Sequence, residues 1–409
     1  MRSSWRWFGP SDPMPLSRVG QTGAVMLETS LSDLPAGAAW TDALIAERRQ
    51  MVEAHRNAEG QTLRWEVLGG IPIHDDIKLG RGDARRYIGT MQENVRRLCG
   101  QGVRRILINA MPLIDWARTE LTRPLPTGAE TVAYDALDVT VFDLFLIRRV
   151  GAETDYSPRV LAAAKDRYDT MDDARRTELK SMLTTSLPGG DSRHDRSAFD
   201  ALLADYNRLG RAEYRAHLYD FIGAVCDVLE TEGGLLGVHP DDPPWQICGL
   251  PKIMSCLEDY QSLFDAVPSA TNGILFCSGA LGASPKNDLV KIASVLRGRV
   301  HYAHLRAVEH LEYHAEAGWS FQEAEHLSDK ADLFALARLL VDEEHARRGA
   351  GEGALRCDIP FRADHGQHIL GDLDVQDGNP GYAPIGMTKA TAELRGMLHA
   401  IERMRGDAA

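Results

Sequence analysis

A closed (β/α)8 barrel of the TIM type, carrying a helical insertion, is the fold this sequence predicts. Short β-prone runs alternate with longer segments of helical spacing, and polar or chelating residues recur directly after several of those runs. One long stretch rich in charge and alanine interrupts the alternation. The alternation favours a β/α chain. The polar strand endings favour a barrel over an open doubly wound sheet or two smaller domains, because a barrel gathers its active site at the C-terminal ends of its strands. With 409 residues the chain can bury a large core, and closed barrels often hold a chain of this length in one domain. The expectation is one barrel domain over 1–409 with a mainly helical insertion around 112–233.

The elements follow in order. "TGAVML" (22–27) is the first strand candidate and precedes a helix candidate at 40–58. "TLRWEVLG" (62–69) leads through "GGIPIHDDIKLGRG" to a helix candidate at 83–100. Further strand candidates are "VRRILIN" (103–109), "GLLGVHP" (234–240), "NGILFCSG" (272–279), "RVHYAHLR" (299–306) and "LRCDIPFRADHG" (355–366). An eighth strand falls near "VTVFDLFLI" (139–147), a run that reads equally as a buried helix. Inside the insertion, "SPRVLAAAKDRYDTM", "DDARRTELKSMLTT" and "DRSAFDALLADYNRL" read as helical, with Pro158 suited to a first turn. "AEYRAHLYDFIGAVCDVLETEGG" is amphipathic and is closed by Gly233 and Gly234.

Composition removes several classes of function. The formal net charge of −13 gives no reason to expect nucleic-acid or anionic-membrane binding. Charged residues at 26% and hydrophobic residues at 44% argue against global disorder. No run approaches the roughly 20 apolar residues of a membrane helix, and "MRSSWRWFGPSDPM" meets proline and aspartate before any signal-like segment. A soluble cytoplasmic protein is expected, and a barrel with so large an insertion could self-associate as a homo-oligomer. No G-x-G-x-x-G follows the first strand and no P-loop occurs, so nucleotide binding has no positive motif. The six cysteines include no C-x-x-C pair and read mostly as small buried residues.

Four strand candidates end on His239, Cys277, His304 and Asp364. A barrel would bring those ends together across long separations in sequence. Two imidazoles, a thiolate and a carboxylate suit Mn, Fe or Zn better than Ca or Mg. Each also has an ordinary alternative: Cys277 as a core residue, His304 as a hydrogen-bonded core histidine, Asp364 as a helix cap. Spacing alone leaves both open.

Eight stretches weigh on the choice: "WRWFGPSDP" near the start, "IPIHDDIK" (71–78), "NAMPLIDWARTEL" (109–121), "GVHPDDPPWQICGLPKI" (237–253), "NGILFCSG" (272–279), "HLR" (304–306), "RADHGQ" (362–367) and "NPGYAPIG" (379–386). In these, in their order and over nearly its whole length, the chain resembles the mannonate dehydratase family. The resemblance implies a TIM-barrel enzyme that removes water from the sugar acid D-mannonate to give 2-dehydro-3-deoxy-D-gluconate, using a divalent ion such as Mn or Fe. It implies His239, Cys277, His304 and Asp364 as ligands, and His365 with Tyr382 as the acid/base pair.

The chemistry asks for such a set. A C2 proton beside a carboxylate is poorly acidic, so a cation must stabilise the charge that builds up as it leaves, and two side chains must exchange protons at C2 and at the C3 hydroxyl. Arg306, two residues after His304, would share its strand face and could hold the substrate carboxylate with its planar fork. His74, Asn109 and Asp115 follow early strands and are candidates for hydroxyl contacts, although aspartates in such loops often only form turns. Asp241 and Asp242 either orient His239 or cap the next segment, and His368 reads as structural.

Departures from the family pattern cluster near the substrate. "ETSLSDLP" puts Ser30 to Leu34 where two histidines are usual, "CSGALG" lacks the usual serine and tyrosine, "VLGGIPIHDD" lacks a Glu-Ser pair, and Ala363 replaces a proline. Retained ligands with altered loops imply retained metal chemistry and changed recognition. The competing readings are a dehydratase of another aldonate, a metal-dependent sugar isomerase or epimerase on the same barrel, and a non-catalytic barrel kept for interaction.

Overall fold

Among the described residues, twelve strands carry the architecture. In chain order they are β1 (Ser4–Arg6), β2 (Met26–Thr29), β3 (Arg64–Gly69), β4 (Arg105–Asn109), β5 (Glu120–Pro124), β6 (Glu130–Tyr134), β7 (Leu235–His239), β8 (Ile274–Cys277), β9 (Val300–Leu305), β10 (Ala307–His314), β11 (Gly318–Ala324) and β12 (Phe361–Ala363). Eight of them pair in parallel in the order β1-β2-β3-β4-β7-β8-β9-β12, and a parallel bridge from Ser3 to Phe361 brings the two ends of that sheet together. This is the expected TIM barrel. The computed structural model describes residues 1–184, 196–314, 317–375 and 378–406. Helices Asp42–Glu53, Ala84–Gly100, Arg211–Glu232, Leu257–Ala266, Leu289–Leu296 and Leu333–Gly349 lie between successive barrel strands, and Pro384–Met404 follows the last. Among the described residues no helix is long and apolar enough to cross a membrane.

Alternation along the strands decides what lies inside the barrel. Met26, Val67, Leu107, Leu275, Cys277 and Tyr302 form one buried cluster, while neighbours such as Leu27, Leu68, Ile106, Ile108, Ile274, Phe276 and Ala303 join the larger core beneath the helices. Because side chains alternate with period two, the same faces continue towards the strand ends through Glu28, Asn109, Cys277 and His304. The polar site is the continuation of the apolar barrel interior.

Four sequence expectations change. The run 139–147 is helical, as Ala136–Val141 and then Phe142–Leu146, with the Asp135 side chain accepting from the Leu137 and Asp138 amides at its start. The remaining barrel strand is instead β1, whose three residues are too short to show a period. At the other end, the candidate at 355–366 shrinks to β12, because Ala354–Cys357 is a helical turn. The insertion is mainly helical where it is described, but it opens with β5 and β6, which join the unforeseen β10–β11 hairpin in an antiparallel sheet of order β10-β11-β6-β5.

That second sheet is tied to the loop after β12. Glu130 and His368 exchange backbone hydrogen bonds of 3.0 and 2.8 Å, the structural part expected of His368. The loop also sits on the first turn of Pro384–Met404: the Gly366 amide donates to the Gly381 carbonyl at 2.7 Å, and a Cβ on Gly386 would collide with the Gln367 carbonyl. Gly386→Ala should therefore cost about 1–3 kcal/mol, the usual penalty for forcing a methyl group into a packed site. Thermal unfolding checks it, and an unchanged Tm would show that the loop is not seated as described.

Candidate metal centre and active site

At the C-terminal mouth of the barrel, His239, Cys277 and His304 offer one ligand atom each, all within 4.8 Å of one another. Asp364 joins them: its Oδ2 lies 3.6 Å from the Cys277 sulfur and 3.7 Å from His304 Nδ1. Its Oδ1 is already taken, accepting from Arg362 Nη1 at 2.5 Å and the Tyr382 hydroxyl at 2.8 Å. One carboxylate oxygen thus faces the cluster and the other is anchored to protein.

The donors fit a metal ion on their hydrogen bonding. His239 gives its Nδ1 proton to the Pro240 carbonyl at 2.6 Å, which leaves Nε2 with a lone pair. His304 is buried with neither ring nitrogen hydrogen-bonded. Buried imidazoles are rarely left so, and an ion among these donors would satisfy it. The Ala280 amide points at the Cys277 sulfur at 3.4 Å, so this side chain is also held in place by the helical turn that follows it.

A cavity opens above these groups, lined also by Arg6, Phe8, Glu28, Asn109, Asp115, Trp116, Asp242, Arg362, His365 and Tyr382. Burial pushes the His239 and His365 imidazoles below their ordinary range and the Tyr382 phenol above its own. Against the upward push of burial, Arg362 holds the Asp364 and Glu28 carboxyls well below the usual carboxylate range. The carboxylates here stay charged and the histidine and tyrosine stay neutral.

His365 adopts φ +48, a left-handed backbone that few non-glycine residues take. The turn carries its ring away from Asp364 and beneath the second sheet. There Nδ1 lies 3.1 Å from Glu323 Oε1 and against Arg306 Nη1, while Trp116 and Tyr382 pack the ring at 5.4 and 5.1 Å.

Of the expected substrate contacts, Asn109 and Asp115 line the cavity and two others do not. His74 accepts from the Asp76 amide at 3.1 Å as the cap of Asp75–Leu79 and stacks on Tyr87 at 3.6 Å, beside a separate small cavity. Arg306 lies beneath the site, bound to Asp242 at 2.5 Å and Glu323 at 3.1 Å. It follows the end of β9, so the chain has already turned and strand alternation no longer aims it. A Cβ on Gly279 would collide with its guanidinium, so that glycine makes room for it. Asp241 accepts from the Met254 amide and the Ser255 hydroxyl and secures the loop, whereas Asp242 takes a two-point grip from Arg118 at 2.9 and 3.2 Å.

Residues 1–407 of the 409 match the family model described as D-mannonate dehydratase (UxuA). The chain belongs to the D-mannonate dehydratase family. Similar relatives include the mannonate dehydratase of Chromohalobacter salexigens, 39% identical over 99% of this chain and all of that one. That of Saccharophagus degradans is 36% identical over 98% of both. A solved structure of mannonate dehydratase from Streptococcus suis serotype 2 superposes with a TM-score of 0.74 at 27% identity, covering all of this chain and 95% of that one. The family is one of metal-dependent hydro-lyases, so this mannonate dehydratase homologue is a lyase on a TIM barrel.

Sequence reasoning missed Arg6, Glu28, Arg362 and Glu323. Two were within reach of the period-two rule: Arg362 stands two residues before Asp364 and Glu28 two after the inward Met26, whereas Arg6 lies on β1, which is too short to show a period. Glu28 is only 2% exposed and accepts from Arg6 at 2.7 Å, Arg362 at 2.6 Å and Tyr302 at 2.9 Å. Glu323 carried no signal, since its strand was not foreseen. Cys277→Ala should lose most of its bound metal with little change in Tm, measured by elemental analysis; full metal content would remove the thiol from the ligand set. His74→Ala should leave KM within two-fold of wild type, and a large rise would place His74 at the substrate after all.

Proposed function

We propose that the protein converts D-mannonate to 2-dehydro-3-deoxy-D-gluconate and water, with His239, Cys277, His304 and Asp364 holding Mn2+ or Fe2+. One observation carries the reading: a mixed nitrogen, sulfur and oxygen donor set converges at the barrel mouth directly beside a neutral histidine and a neutral tyrosine. When bound, the ion would supply Lewis acidity to the substrate oxygens beside C2.

This chain's own residues do the rest. Arg6 and Arg362 offer guanidinium groups on the cavity wall to the carboxylate of an anionic substrate, while Glu28 and Asp364 hold those two guanidiniums in place. Asn109 is fixed by accepting from the Met111 amide at 2.9 Å, which presents its amide end to the cavity for a hydroxyl group. Phe8 and Trp116 cover apolar faces and keep water from the reacting carbons. The C2 proton leaves to one of His365 and Tyr382, the C3 hydroxyl departs as water with a proton from the other, and the resulting enol collapses to the 2-keto acid. Tyr382 is held by its hydrogen bond to Asp364, so its hydroxyl stays beside the ligand set. A small sugar acid handled in the cytoplasm is the substrate class this supports.

A panel of aldonates supplied with Mn2+ or Fe2+ and assayed for 2-keto-acid formation tests the proposal. D-mannonate should give the highest kcat/KM, and preference for another aldonate by ten-fold or more would move the assignment to that acid. Tyr382→Phe should retain metal and lose about 100-fold in kcat, within the range of a proton-transfer group. Wild-type turnover in that variant would exclude the phenol from the chemistry.

A further inference from the structure

Glu323 is a buried carboxylate brought to the site from outside the barrel. It lies on β11, is 1% exposed, and its Oε1 accepts from Arg118 Nη2 at 2.7 Å while standing 3.1 Å from Arg306 Nη1 and from His365 Nδ1. Against the upward push of burial, Arg306 and His365 hold this carboxyl below its ordinary value, so it is an anion.

His365 Nδ1 therefore meets both an anion and a guanidinium, and it can serve only one of them. Towards Arg306 it must accept; towards Glu323 it must donate. Arg306 has stronger acceptors than a neutral ring nitrogen, in Asp242 Oδ2 at 2.5 Å and in Glu323 itself. An anionic acceptor adds a Coulombic attraction that a neutral ring nitrogen lacks, so Arg306 directs Nη2 to Asp242 and Nη1 to Glu323 and to Asp364 Oδ2 at 3.4 Å. Nδ1 then keeps its proton and gives it to Glu323. The ring lines the cavity, and the nitrogen left to face it is Nε2, with its lone pair free.

We propose that Glu323 is a positioning residue: by accepting the Nδ1 proton of His365 it sets the tautomer in which Nε2 takes the C2 proton of the substrate. Resting on the dehydratase reading above, this divides the labour that reading left open. The C2–H bond breaks with its proton going to His365 Nε2, and its electron pair forms the C2–C3 double bond. The C3–O bond breaks, and the hydroxyl leaves as water with the proton of Tyr382. The enol becomes the 2-keto acid, and return of one proton from His365 to Tyr382 through solvent restores both groups.

The test compares wild type, Glu323→Gln and Glu323→Asp for kcat, KM, bound metal and Tm, using D-mannonate and its C2-deuterated form. Loss of the anion in Glu323→Gln should lower kcat about 10- to 100-fold, keep KM and metal within two-fold, and raise the deuterium isotope effect. Glu323→Asp, which restores the charge one methylene short, should recover part of the lost kcat. A kcat within two-fold of wild type in Glu323→Gln, a fall that tracks loss of metal, or no recovery in Glu323→Asp each overturns the assignment. Should Glu323→Gln not fold, Glu323→Asp decides alone: lower kcat at constant KM and metal supports the role, and unchanged kcat or lost metal overturns it. Wild-type enzyme inactive on D-mannonate overturns this inference together with the function it rests on, whereas an active wild type with an unaffected Glu323→Gln overturns only the role of Glu323.

Discussion

Charge neutralisation among buried side chains at the barrel mouth is the constraint on which the rest of this structure depends. Glu28, Asp364, Asp242 and Glu323 are buried anions, and Arg6, Arg362, Arg306 and Arg118 stand among them as partners. An isolated ion in such a place would cost several kcal/mol, and removing one member of a buried pair strands the other. The carboxylates and guanidiniums therefore hold one another in fixed positions. That rigidity lets three donors, two imidazoles and a cysteine sulfur, meet a single carboxylate oxygen at the same point.

The two halves of this network have different origins. Arg6, Glu28, Arg362 and Asp364 belong to barrel strands or to the residue after one, and the positions of Glu28, Arg362 and Asp364 follow from strand alternation. Arg118 and Glu323 come from the segments that build the second sheet, and they close over His365 from outside. Arg118 also rests its guanidinium on Trp116 and Phe321 at 5.0 and 4.9 Å, so the ion pairs are sealed beneath aromatic rings. The barrel supplies the proposed metal donors; the sheet supplies the surroundings of His365. His365 stands at the junction, and its left-handed backbone turns the ring from one to the other.

The altered loops noted in the sequence keep their interest in this light. Ser30 to Leu34 follow directly on Glu28 and Thr29, at the rim beside β2, and Ala363 is the outward residue between Arg362 and Asp364. Neither change touches a donor atom. Both adjoin residues that shape the cavity wall, where hydroxyl configuration is read.

Much of the site was legible because a β-strand has a fixed period. Once the chain is a closed parallel barrel, strand ends converge, so His239, Cys277, His304 and Asp364 could be grouped from residues far apart in sequence. Alternation could equally have picked out Arg362 and Glu28. It failed for Arg306, which lies one residue past the end of β9, and for His74, whose place was set by a helix cap and a stacking partner. The sequence by itself determined the barrel and its likeness to a family of sugar-acid dehydratases, and grouped four candidate donors, since these depend on local period and local motif. Only the tertiary structure decided that Arg306 turns beneath the site and that Glu323 meets both it and His365, because those contacts join a barrel to a separate sheet through side-chain packing that no local pattern encodes.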